Sequence, residues 1–289
     1  MSKPTPPPNP GPLRSPNQLL ERAGFALRMG RFAEAEELAS EVLRANRNHP
    51  AGVMILAHAL IAQNRGQEAI APLEKAVRRN SDPSAETLLG AALGGAGRRA
   101  EAIEQLRRTT ERRPPFFPAF QELAGQLAKG GRFGEAITVI EAALALAPQI
   151  IELQLDLARL HIEHNERGKA RAILLGAQRA APGRGDVLTA LARVLLLDGD
   201  YAEAANTYRR ALALHPDDAM TRADLAACLL ETGERDAGEA NLRQAFRGRP
   251  QMLGRATYAL VQSSHGRFFF RQSAFAEFLQ ADRPEPPTP

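Results

Sequence analysis

The chain has 289 residues, 44% of them apolar, and carries 37 basic against 33 acidic side chains for a net charge of +4. The arginines are interleaved with glutamates along the whole length, not clustered as a nucleic-acid footprint requires. A lone cysteine, Cys228, excludes an intrachain disulfide, and no apolar run approaches the length of a membrane span. Ala and Leu dominate, β-branched residues are sparse and Trp is missing, which is a helical composition.

In chain order, residues 1–15 read as a disordered, partly polyproline tail: seven prolines fall between Met1 and Pro16. No apolar core in this stretch could serve as a signal peptide, so the expected compartment is the cytoplasm. From Pro16 a 34-residue period begins. Its turn column is Gly30, Asn64, Gly97, Gly131, Asn165, Gly199 and Gly233, with one interval, Asn64 to Gly97, a residue short. A turn there needs a left-handed backbone, which Gly adopts freely and Asn tolerates best among the rest. Five residues later comes a small column, Ala35, Ala69, Ala102, Ala136, Ala170, Ala204 and Gly238. Four further on lies Ala39, Leu73, Leu106, Ile140, Leu174, Tyr208 or Leu242, and Ala76, Ala143, Ala177, Ala211 and Ala245 follow at helical spacing.

Ahead of each turn a second helical face is marked by Leu123 and Leu127, Leu157 and His161, Leu191 and Leu195, and Leu225 and Leu229. Every unit therefore reads as helix, turn, helix, turn. The second helix ends at Pro114, Pro148, Pro182, Pro216 or Pro250, since proline lacks a donor and disfavours helix before it. Seven units are expected, at about 16–49, 50–82, 83–116, 117–150, 151–184, 185–218 and 219–251. A degenerate eighth, 252–280, is predicted to cap the array, and residues 281–289, with four prolines, read as a second disordered tail.

The pattern resembles the tetratricopeptide repeat family. Leu89-Gly90 matches its Leu-Gly pair, Gly199-Asp200-Tyr201-Ala202-Glu203-Ala204 its central turn, and Ala211-Leu212-Ala213-Leu214-His215-Pro216 its end. Its early Trp is absent, the slot holding Leu19, Val53, Glu86, Phe120, Gln154, Leu188 and Arg222. Repeats 1 and 2 have Arg47 and Ser81 where the Pro stop belongs, and Gly238 replaces an Ala. The resemblance implies an all-α, right-handed α-α superhelix: a solenoid of about seven helix-turn-helix repeats plus a C-terminal capping helical unit.

It also implies binding in a concave groove lined by the first helices. The family's groove positions fall on Leu20, Leu27, Arg28, Met54, His58, Ile61, Thr87, Gln121, Lys129, Leu155, Arg159, Ile162, Arg193, Leu196 and Leu230. Ala91, Gly125 and Ala227 lie among them. The Lys and Asn pairs with which some members clamp a C-terminal carboxylate are missing, so an apolar segment with some acidic residues fits better. The expected function is a non-catalytic protein-interaction scaffold or adaptor. The alternative is an accessory subunit of a separately encoded enzyme modifying protein or polysaccharide, with RNA binding third and disfavoured.

Other candidates read as structure. Gly90, Gly94, Gly95 and Gly97 lack the Lys-Ser/Thr of a phosphate loop and predict a soft helix, a hinge or wide point in the groove. His161 and His164 with Glu163 lack a third metal ligand, and Ser263, Ser264 and His265 lack a matched acid. The dense basic stretch Arg98, Arg99, Arg107, Arg108, Arg112 and Arg113 reads as a solvated face. No catalytic, cofactor-binding or metal-binding residue is expected. Phe268, Phe269, Phe270, Phe275 and Phe278 make the C-terminal unit either a cap, the favoured reading, or a homo-oligomer contact.

Overall fold

A computed structural model describes residues 15–266 and 272–280. The expected tails at 1–15 and 281–289, Ser15 apart, and Phe268, Phe269 and Phe270 lie outside the described residues. Sixteen α-helices follow one another among the described residues. They are α1 Pro16–Arg28, α2 Phe32–Ala45, α3 Pro50–Ala62, α4 Gly66–Arg79, α5 Pro83–Gly95, α6 Arg99–Thr110, α7 Phe117–Lys129 and α8 Phe133–Leu146. Then come α9 Ile151–Glu163, α10 Arg167–Ala180, α11 Gly185–Leu197, α12 Tyr201–Leu214, α13 Ala219–Glu231, α14 Arg235–Phe246, α15 Leu253–Gln262 and α16 Gln272–Gln280. The chain divides into two units, Met1–Ala143 and Leu144–Pro289.

Neighbouring helices pack on one another, and the first helices also stack along the array, α1 on α3 and α3 on α5 in the first unit, α9 on α11 and α11 on α13 in the second, the solenoid arrangement. In the first, α1 pairs with α2, α3 with α4 and α5 with α6; in the second, α9 pairs with α10, α11 with α12 and α13 with α14. The turn column has one cause throughout. Gly30, Asn64, Gly97, Gly131, Asn165, Gly199 and Gly233 all have φ between 60° and 83°. The amide after each reaches back five residues to a helix carbonyl at 2.7–2.9 Å, from Arg31 to Ala26 through Glu234 to Leu229. That bond satisfies a carbonyl the first helix leaves open, and it requires the left-handed residue.

The buried columns fall where the period puts them. Ala35, Ala69, Ala102, Ala136, Ala170 and Ala204 are inaccessible to solvent, as are Ala39, Leu73, Leu106, Ile140, Leu174, Tyr208 and Leu242. Where the Pro stops are missing, proline moves to the other side of the loop. Pro50 and Pro83 open α3 and α5, as Pro16 opens α1, at a position whose amide needs no helical partner. Six of the seven vacant Trp slots are filled in one of two ways. Leu19, Val53, Phe120 and Leu188 are simply buried. Gln154 and Arg222 donate to loop carbonyls instead, Gln154 Nε2 to Pro148 O at 2.7 Å and Arg222 to Pro216 O.

Two of the three glycines of α5, Gly90 and Gly94, do not mark a wide point; Gly95 has open space beside it. A Cβ at Gly90 would run into Leu106, and one at Gly94 into the Gln126 amide, so these are places of close approach. Gly238 has the same explanation: a Cβ there would stand 2.8 Å from Leu230 Cγ. At the C-terminus, Phe275, Phe278 and Leu279 of α16 join Met252, Ala256 and Leu260 in one core with Leu230, Leu242, Ala245 and Phe246. The guanidinium of Arg243 lies 4.2 Å from the centre of the Phe278 ring. The last two helices thus cover the apolar surface of α13 and α14.

Candidate functional site

The predicted groove residues all lie on first helices of the pairs. In the first unit Leu20, Leu27, Met54, Ile61, Thr87 and Gln121 are half-buried, while Arg28, His58 and Lys129 are exposed. In the second, Leu155, Ile162 and Leu196 are half-buried against one core cluster, with Arg159 and Arg193 exposed beside them. The helical spacing that places Leu155, Arg159 and Ile162 on one face of α9 also leaves their outer edges open. Arg159 is held by its own helix, 3.3 Å from Asp156 and 3.5 Å from Glu163. Leu230 is a correction. It is fully buried, because the glycine at 238 opens space that its side chain fills and because the C-terminal helices close over it. It presents no surface to a partner.

Structural roles absorb the other candidates. His161 is buried, with Nδ1 2.7 Å from Glu166 Oε2. Hydrogen bonds from Lys169 and then His161 hold the Glu166 carboxyl down at about 2. Among the described residues no group of three or more His, Cys, Asp or Glu is placed to hold a metal ion, and no helix is long and apolar enough to cross a membrane. Burial pushes the Cys228 thiol up to about 12, which removes its thiolate character.

The dense arginine stretch is mostly neutralised. Arg98 pairs with Glu101, Arg107 with Glu135 at 3.1 Å and Arg108 with Glu104 at 2.9 Å. Arg112 clamps Glu86: its Nε donates to Oε2 at 2.7 Å and its Nη2 to Oε1. Glu86 is buried in the slot where the family carries Trp, and Thr109 donates to it as well. Sequence reasoning missed this pair. Its signal is an acid at an apolar slot with an arginine one helix later.

It also missed a pocket of about 440 Å3 at the loop ends of α2, α3, α4 and α5. Leu43, Val53, Met54 and Leu56 form its apolar wall, together with Pro72 inside α4. Of the predicted groove residues it takes in only Met54.

A tetratricopeptide repeat family model matches residues 26–92, 127–194 and 195–256, and a second model of the same description matches 87–149. The chain belongs to the tetratricopeptide repeat family. It is 26% identical over 179 residues to the cellulose synthase operon protein C of Pseudomonas fluorescens (strain SBW25), an alignment covering 59% of this chain and 14% of that protein. The chain therefore spans only a small part of that relative's length.

Among solved structures, a tetratricopeptide repeat protein from Parabacteroides merdae superposes with a TM-score of 0.61 at 14% identity, over 84% of this chain and 98% of that one. The human IFIT1 dimer with m7Gppp-AAAA gives 0.61 at 15% identity, over 86% and 64%. The APC/C hetero-tetramer Cut9-Hcn1 gives 0.55 at 17%, over 92% and 56%. These likenesses establish the all-α repeat fold and leave ligands open.

Proposed function

We propose that this chain is a non-catalytic scaffold or adaptor that holds a segment of a partner protein on the exposed faces of its first helices. The carrying observation is the second unit's face, where half-buried Leu155, Ile162 and Leu196 stand beside exposed Arg159 and Arg193. Such a surface offers apolar area with a cationic border, suited to an apolar segment bearing acidic residues. The cytoplasm remains our proposed compartment, with no cofactor.

Affinity capture with the intact chain and with Arg159→Glu/Arg193→Glu tests the reading. Partners lost on charge reversal support it; identical partner sets for the two proteins refute the assignment of this face.

One observation favours a second reading, an accessory subunit of a separately encoded modifying enzyme. It is the similarity to a cellulose synthase operon protein, which suggests polysaccharide modification. Co-purification with a catalytic subunit separates the two.

A further inference from the structure

The third repeat supplies the key to the pocket in the second. Arg108 on α6 and Arg112 just beyond its end stand eleven and fifteen places after the turn residue Gly97, and they meet Glu104 and Glu86. The same places after Asn64 are Lys75 and Arg79, on α4. The cations are kept, but the acids are gone: the slots of Glu104 and Glu86 hold Ala71 and Val53. All four of these residues line the pocket, and Arg47, standing in the slot of a missing Pro stop, is a third cation there. Among the described residues none of Arg47, Lys75 and Arg79 makes a side-chain hydrogen bond or ion pair. The single acid in the wall, Asp82, is occupied in capping α5 through the Ser84 amide.

We propose that the pocket among α2, α3, α4 and α5 docks an acidic amphipathic segment of a partner protein, its carboxylates taking the places that Glu86 and Glu104 hold in the next repeat. The volume suits one or two bulky apolar side chains, within the ordinary range for binding pockets. The apolar wall gives contact area, and the three cations select charge and orientation. The inference rests on the reading of the chain as a protein-binding scaffold, but it uses a different surface. Its test therefore separates the two.

The probes are three capped, fluorescein-labelled peptides of equal length: a Leu-Phe-Leu core flanked by Asp and Glu, the same core flanked by Lys, and a Ser core flanked by Asp and Glu. Fluorescence polarisation against the full chain is expected to show the first binding more tightly than the other two by about tenfold or more. Ala71→Glu, at an exposed position, restores the missing acid and is expected to weaken that binding by about tenfold, as is Lys75→Glu/Arg79→Glu. Arg159→Glu/Arg193→Glu removes only what binds at the first-helix face and is expected to leave the roughly tenfold loss caused by Ala71→Glu unchanged.

No binding of the first peptide up to about 1 mM overturns the proposal. So does equal binding of the Lys-flanked peptide, or indifference to Ala71→Glu. Binding lost only with Arg159→Glu/Arg193→Glu overturns the pocket and leaves the first-helix face standing. Folding of each variant is checked by circular dichroism, and Ala71→Glu alone suffices should the double variant unfold.

Discussion

At the scale of single residues, Glu86 and Arg112 show how a charge comes to sit in an apolar column. Glu86 is 5% exposed, and its carboxylate is matched by both arms of one guanidinium and a threonine hydroxyl. Removing the cation strands the anion, whereas removing the anion leaves an arginine that can turn to water. Arg112→Leu is expected to destabilise the chain by about 1.5–3 kcal/mol. Glu86→Val is expected to cost less, because Val53 already fills the equivalent slot one repeat earlier. Urea midpoints of the two variants measure the asymmetry, and equal losses contradict it. Here register and chemistry part company. The sequence shows an acid in the Trp slot, but its partner lies a helix away and is chosen by packing.

At the scale of the helix pair, what was legible was whatever recurs. The left-handed turns, the small column and the large buried column appear in every unit, so each position is attested several times over and its physical demand can be read directly. What occurs once was not legible. Leu230 occupies a groove position by register, but its fate depends on Gly238 on the next helix and on α16 beyond it. The pocket likewise required knowing that Arg108 and Arg112 find acids before the lack of acids opposite Lys75 and Arg79 had meaning.

Gly238 offers a direct test of this coupling. An added methyl would press on Leu230 and stand 3.2 Å from the Ala226 carbonyl. Although Ala is the better helix former and stands at this place in the other repeats, Gly238→Ala is expected to lose about 1–3 kcal/mol by overpacking. Thermal melts decide it, and a stabilised variant shows that Leu230 gives way. Leu230→Ala is expected to cost less in the Gly238→Ala background than in the parent chain, and a double-mutant cycle reads that coupling.

At the scale of the whole molecule, the main helix contacts among the described residues join helices near one another in sequence, so stability is built from neighbour to neighbour. The last pair in such an array has one uncovered side. Here α15 and α16 close it, with Phe275, Phe278 and Leu279 seated on Leu242 and Phe246. A chain ending at Arg249 is expected to exchange its α13 and α14 amide hydrogens faster while α1 to α6 keep their protection, as hydrogen exchange would show. A shortened chain with full protection that merely loses self-association favours the homo-oligomer reading of the aromatic end. The ion pairing also has a practical side. Arginine does nearly all the cationic work in this chain, leaving four lysines: Lys3, Lys75, Lys129 and Lys169. Lys169 is engaged 2.8 Å from Glu166, Lys75 borders the pocket, and Lys129 is exposed on the face of α7. An amine-directed label therefore turns the chain into its own reporter: protection of Lys75 reads occupancy of the pocket, and protection of Lys129 reads occupancy of the first-helix face.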